Sequence, residues 1–132
     1  MTLDELFQEI EEDLNLTYEN LQDKLYKIPS YHSKYLKLFF QHKSKLNKYT
    51  EELNKLYKTK YYYFSNDYEY KLDNTKEINF HILSDDEYSK LNTKVENQKL
   101  LVDCLDRTLK RVQYMSNDCK NIINYISYQN GC

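Results

Sequence analysis

The amino-acid sequence predicts a mainly all-α protein, with amphipathic helices leading into a long C-terminal oligomerising helix and a short strand admitted only near 78–83. Three observations carry this expectation. The 132 residues include one Gly and one Pro, which leaves few tight turns and favours long helices over hairpins. Apolar residues recur at steps of three and four over most of the chain, the period of a helix with one buried face. Thr2 with Glu5, and Ser84 with Glu87, have the spacing of capping boxes and mark two helix starts.

Behind the first capping box, Leu3, Leu6, Phe7, Ile10 and Leu14 form the apolar face of a first helix. Its acids fall on the outward face, where they are either solvated or docked onto a basic segment downstream. A second helical pattern opens near Thr17 with Leu21, Leu25 and Ile28. Pro29 lacks a backbone donor and restricts the residue before it, so a kink or a fresh helix start is expected there. From Ser30 the stripe Tyr31, Tyr35, Leu38, His42, Leu46, Tyr49, Leu53 and Leu56 continues the helical period. Asn66 and Asp67 then read as a turn, and Ile78 to Leu83 alternates enough for a short strand.

The strongest pattern follows Ser84. Positions 88, 91, 95, 98, 102, 105, 109, 112, 116, 119, 123 and 126 keep the three-and-four spacing, broken only by Gln98 and Ser116, which is the signature of a coiled-coil or bundle seam. A helix of this length reaches roughly 64 Å, more than the shorter elements expected before it could cover. Self-association or a bend near Ser116 is therefore expected, with Leu91, Val95, Val102, Leu105, Leu109, Val112, Cys119, Ile123 and Ile126 as the oligomerisation residues. On this reading residues 1–83 are one helical region and 84–132 the oligomerisation helix, in one compact unit.

Composition narrows the class. With 40% hydrophobic residues the chain can bury a core and is not disordered. No window approaches the roughly 20 apolar residues of a membrane span, so no membrane partner is expected. Cys104, Cys119 and Cys132 are an odd number without metal-ligand spacing, which suits reduced thiols in a cytosolic protein. His32, His42 and His81 share no ligand spacing with them, so no metal is expected. The single glycine, Gly131, leaves no phosphate-cradling loop, dinucleotide fingerprint or nucleophile elbow. Neither an enzyme nor a cofactor site is expected.

Charge is segregated along the chain. Residues 1–23 hold eight acids and no Lys or Arg, whereas residues 24–60 hold ten lysines against Glu51 and Glu52, a local balance of +8. At about 100° per residue, Lys27, Lys34, Lys37, Lys45, Lys48 and Lys55 fall in an arc roughly 80° wide. Such a row is a solvated helix face, a ridge that tracks phosphates, or a basic amphipathic surface on anionic lipid; the absence of Trp weighs against the last. Beside the row, Lys58 and Lys60 run into Tyr61, Tyr62, Tyr63 and Phe64. Cations next to aromatic faces suit a single nucleic-acid strand, whose bases stack for roughly 1–3 kcal/mol each. The same tyrosines could instead be core, and codons rich in A and T inflate Tyr and Lys together.

Several of these residues also carry a family likeness. Leu3, Leu6 and Asp13, then Leu21-Gln22, Ser33-Lys34-Tyr35-Leu36, and Lys58-Thr59-Lys60-Tyr61 leading to Tyr63 and Ser65, followed by the stretch from Leu101 to Asp106, resemble the UvsY family of recombination mediators of T4-like phages. The likeness runs over nearly the whole length, with Lys60 where the better-known member has Arg and Asn66 in place of Gly. It implies a ring-shaped homo-oligomer, a hexamer or heptamer, that binds single-stranded DNA without sequence preference in the host cytoplasm. It also implies two protein partners, the phage strand-exchange recombinase and the phage single-strand binding protein that the recombinase must displace. By position, Lys58 and Lys60 inherit the family's DNA-binding signature. Together with Tyr61, Tyr62, Lys34, Lys37, Lys45, Lys48 and Lys55 they make up the expected DNA-binding set. The competing function is a structural coiled-coil adaptor whose lysines are solvated surface.

Overall fold

The first helix, α1 (Leu3–Leu14), starts as its sequence requires: Thr2 accepts the Glu5 N–H and Glu5 returns a carboxylate to the Thr2 N–H. A computed structural model describes residues 1–131 of the chain, so Cys132 lies outside the described residues. After α1 come α2 (Leu21–Tyr62), a five-residue π-helical segment (Tyr63–Asp67), α3 (Thr75–Ser84) and α4 (Asp86–Gln129). The chain divides into two units. Unit 1 joins Met1–His42 with the stretch from Leu100 onward, and unit 2 is Lys43–Lys99. Each unit thus takes one part of both long helices.

In unit 1, α1 places Leu6, Ile10 and Leu14 against Leu21 and Tyr35 of α2 and Leu105, Leu109, Val112 and Cys119 of α4. The carbonyls at the C-terminus of α1 lack helical partners and find cations instead. Lys24 donates to the carbonyls of Glu12 and Asp13, and Arg111 to that of Leu14, positive charge at the negative end of the helix dipole. The acids of α1 do not all face water. Lys34 Nζ lies 2.7 Å from Glu9 and 2.6 Å from Asp13, and the fully buried Tyr35 donates its hydroxyl to the same Asp13 oxygen at 2.8 Å. The hydrogen bonds from Lys34 and Tyr35 more than offset burial, and hold the Asp13 carboxyl below its ordinary value. Burial raises the Tyr35 phenol, and the bond to Asp13 adds to it.

Three local expectations are corrected, and a fourth is narrowed. Helix α2 runs through Pro29 without a break, so no fresh helix starts there. The proline forfeits one backbone bond, but Leu21, Leu25, Ile28 and Tyr31 on either side pack into the core of unit 1 and hold the helix across it. The second cap is Asp85 rather than Ser84: its carboxylate accepts the Tyr88 N–H, while Ser84 is the last residue of α3. Asn66 and Asp67 belong to the π-helical segment, with the Asn66 amide donating to the Tyr62 carbonyl. Residues 78–83 form no strand; they lie in α3. An isolated strand would leave its ladder bonds unmade, whereas a helix closes its own. The Asn74 side chain starts it by accepting the Glu77 N–H, and Ile78 and Ile82, four residues apart, pack on Phe64.

Helix α4 is continuous past Ser116, and the apolar seam is buried inside the chain itself. In unit 1 Leu105, Leu109, Val112 and Cys119 are core, with Ile123 and Ile126 packed against them; Val102 is buried, and in unit 2 Val95 is buried and Leu91 half-buried. The expectation that no other element could cover so long a helix fails because α2 is itself 42 residues long. The side chains assigned to oligomerisation are thus taken up largely by the fold of one chain. Cys104 and Cys119 are free thiols, and burial pushes both above the usual cysteine range.

Candidate nucleic-acid interface

Within unit 2, α2 turns Leu46 and Leu53 inward, and Tyr57 and Tyr61 pack onto the cluster of Phe64, Ile78 and Ile82. The opposite side faces solvent. On it Lys48, Lys55 and Tyr62 recur every seven residues, a spacing that drifts only about 20° per step around a helix. Lys58 stands four residues before Tyr62, one turn away on the same side. Lys45, Lys48, Lys55 and Lys58 are all exposed. The only ion pair among these four within the described residues joins Lys55 to Glu51 at 3.2 Å, and an exposed pair of this kind is weak enough for phosphate to displace. Tyr62 is 62% exposed. The surface therefore offers four ammonium groups and one uncovered ring along about five turns of helix.

The other expected members are placed differently. Lys34 is held by Glu9 and Asp13 in unit 1; burial works against its charge, but the bonds to those carboxylates raise its pKa overall. Lys37, also in unit 1, is exposed. Tyr61 is a half-buried packing residue of the aromatic cluster, so of the adjacent pair only Tyr62 has a ring available to a base. Lys60 points away from Lys58, because two residues along a helix turn the direction by about 200°. Its ammonium sits 3.0 Å from Glu87 and 3.3 Å from Asp85, and its side chain is 20% exposed. The hydrogen bond to Glu87 raises its pKa above the usual lysine value. The two basic residues of the motif thus occupy different environments, which local sequence could not reveal because the partners lie 25 and 27 positions further along the chain. The outward position of Tyr62 was accessible, since it completes the seven-residue series begun by Lys48.

Among the described residues, no group of His, Cys, Asp or Glu is arranged to hold a metal ion, and no helix is long and apolar enough to cross a membrane.

Lysines and an open aromatic ring on one face of a long helix, in a chain whose described residues form helices and no strand, define a class: an all-helical protein with a basic, aromatic-bearing helix face. Within that class the chain belongs to the UvsY family of recombination, repair and ssDNA binding proteins, whose sequence profile matches residues 9–132. Solved structures agree on the fold. A crystal structure of the bacteriophage T4 recombination mediator protein UvsY (lattice type IV) aligns with a TM-score of 0.85 at 19% identity, covering 98% of this chain and 99% of that one. A second crystal form (lattice type II) gives 0.81 at 17% identity over 98% of each chain. No curated protein sequence matches the chain.

Proposed function

We propose that the protein binds single-stranded DNA without sequence preference along the solvent face of α2 in unit 2, with Lys45, Lys48, Lys55 and Lys58 neutralising phosphates and Tyr62 stacking on a base. The observation that carries this reading is the co-facing of Lys48, Lys55, Lys58 and Tyr62 on a helix whose other side is packed. Phosphate contacts supply affinity but no sequence information, and a ring stacks on any base.

The protein acts as a ring-shaped homo-oligomer, a hexamer or heptamer, in the host cytoplasm, where it helps the phage strand-exchange recombinase displace the single-strand binding protein. It has no catalytic step of its own. Family membership supports this setting. Because α4 buries most of its seam within one chain, contacts between subunits fall mainly to side chains left outside, among them Phe7 and Leu100, which line an open groove of unit 1 beside Arg107.

A salt titration tests the reading. Binding to a polypyrimidine strand should weaken with a log–log slope of about 0.7 per phosphate neutralised, and a flat response would instead support a structural adaptor with a solvated basic face. Strand length tests the ring: a strand that spans two subunits should bind on the order of 100-fold more tightly than one that reaches a single site, and length-independent affinity would exclude shared engagement. Tyr62→Ala should cost about 1–3 kcal/mol of binding at unchanged helicity, and the variant should no longer distinguish a normal strand from an abasic one. If that discrimination survives, the stacking ring is elsewhere.

A further inference from the structure

Lys60 occupies the motif position that carries DNA contact by family likeness, yet its ammonium is spent inside the protein. We infer that Lys60 is a positioning residue: by holding Asp85 and Glu87 it fixes the end of α2 against the start of α4 and so sets the direction in which Lys58 and Tyr62 meet the strand. This rests on the single-strand reading above and deepens it.

Three observations converge. First, the Asp85 oxygen that lies 3.3 Å from Lys60 Nζ is the same oxygen that accepts the Tyr88 N–H at 3.1 Å, so one carboxylate caps α4 and tethers α2. Breaking the tether would disturb a helix start as well as an ion pair. Second, aromatic contacts join the same elements close to the tether. Tyr57 meets Tyr88 edge to face at 6.2 Å, Tyr61 lies 6.2 Å from Tyr57, and the Tyr57 hydroxyl bonds Asn79 of α3. Third, α2 ends at Tyr62 and gives way at Tyr63 to the wider π-helical turn. Whatever fixes the last α-helical turn therefore decides where the exposed rings go.

Electrostatics sets Lys60 apart from Lys58. A phosphate approaching Lys60 meets Asp85 and Glu87, with Asp86 between them in sequence, and drawing the ammonium away would leave these carboxylates beside another anion. Lys58, exposed and without an ion pair among the described residues, carries no such penalty. Lys58 and Tyr62 lie two positions to either side of Lys60, so a helix directs both to one side and Lys60 to the other.

The test compares Lys60→Met, which keeps the alkyl stem and removes the charge, with Lys60→Arg, which keeps the charge, and with Glu87→Gln and Lys58→Ala. Each variant is titrated with a normal and an abasic polypyrimidine strand of equal length across a range of salt, with far-UV helicity recorded. Lys60→Met is expected to keep the wild-type salt slope, since no phosphate contact is lost, but to lose most of a preference of about 5-fold or more for the normal strand. Lys60→Arg should restore that preference, and Glu87→Gln should erode it in the same direction at unchanged slope. A reduced slope in Lys60→Met, or tighter binding with a steeper slope in Glu87→Gln, would make Lys60 a phosphate contact and overturn the inference. Should Lys60→Met lose helicity, Glu87→Gln, altered at an exposed residue, still decides. Lys58→Ala separates the two levels. An unchanged slope there overturns the strand-face reading itself, whereas a reduced slope there and in Lys60→Met overturns only the positioning role.

Discussion

Replacing Lys48, Lys55 and Lys58 together by alanine is expected to lower the salt slope of single-strand binding by about 2, and the affinity on the order of 100-fold near 0.1 M salt. Each lysine that meets a phosphate releases roughly 0.7 of a counterion from a single strand, so three independent contacts account for both figures. Fold and helicity should survive. Lys48 and Lys58 have no ion pair among the described residues, and Lys55 loses only an exposed i,i+4 pair with Glu51, which contributes a few tenths of a kcal/mol. The same three changes should leave the difference between normal and abasic strands in place, because Tyr62 is untouched. Fluorescence anisotropy on a labelled strand at several salt concentrations measures slope and affinity together. A triple variant with wild-type slope would show that the strand lies elsewhere, and Lys37, exposed and in unit 1, would be the next residue to test.

The second large effect is on stability. Asp13→Ala should cost about 2–3 kcal/mol, since it leaves the buried Tyr35 hydroxyl without its acceptor and removes one of the two carboxylates on Lys34. Most of that cost belongs to Tyr35. Lys34 is about a third exposed, and solvent screening weakens its share. Titration supplies an independent check. The folded Asp13 carboxyl lies below the unfolded value of 3.8. It contributes stability that is fully present above that value and is lost as the pH falls through the folded pKa. Lys34 lies above 10.5 when folded; its contribution is complete below that value and is lost as the pH rises through the raised pKa. Asp13→Asn should therefore flatten the decline of stability below about pH 3.8, and soften the loss above 10.5, relative to the parent. Urea midpoints measured across pH report both limbs. Parallel curves for parent and variant would mean that the carboxylate does not couple to folding.

Where the deciding interaction is local, the sequence was sufficient. The capping box at Thr2, the apolar faces of α1 and α4 and the near absence of Gly and Pro all act within one or two turns of helix. They establish an all-helical chain, because a helix satisfies its own backbone and needs only one covered face. The family likeness was legible for a related reason: its motifs are short, contiguous and on helices. The outward turn of Lys48, Lys55, Lys58 and Tyr62 could also be counted off at 100° per residue once their segment was known to be helical.

What only the tertiary structure decided depends on partners far away in sequence. Pro29 could interrupt α2 or not, and the packing of Tyr31 and Leu25 into unit 1 determined that it does not. Residues 78–83 were compatible with two periods; Phe64, offering a surface to Ile78 and Ile82 four residues apart, selected the helical one. The seam of α4 specified that one face must be covered but not by what, and the chain's own long α2 and short α1 supply much of the cover. Lys58 and Lys60 are the same residue type two positions apart, and nothing near them in sequence separates a solvent-facing cation from one held by Asp85 and Glu87. Periodicity determines which face of an element is buried; the identity of the neighbour, and with it the role of each charged side chain, is set only when distant segments meet and exclude water between them.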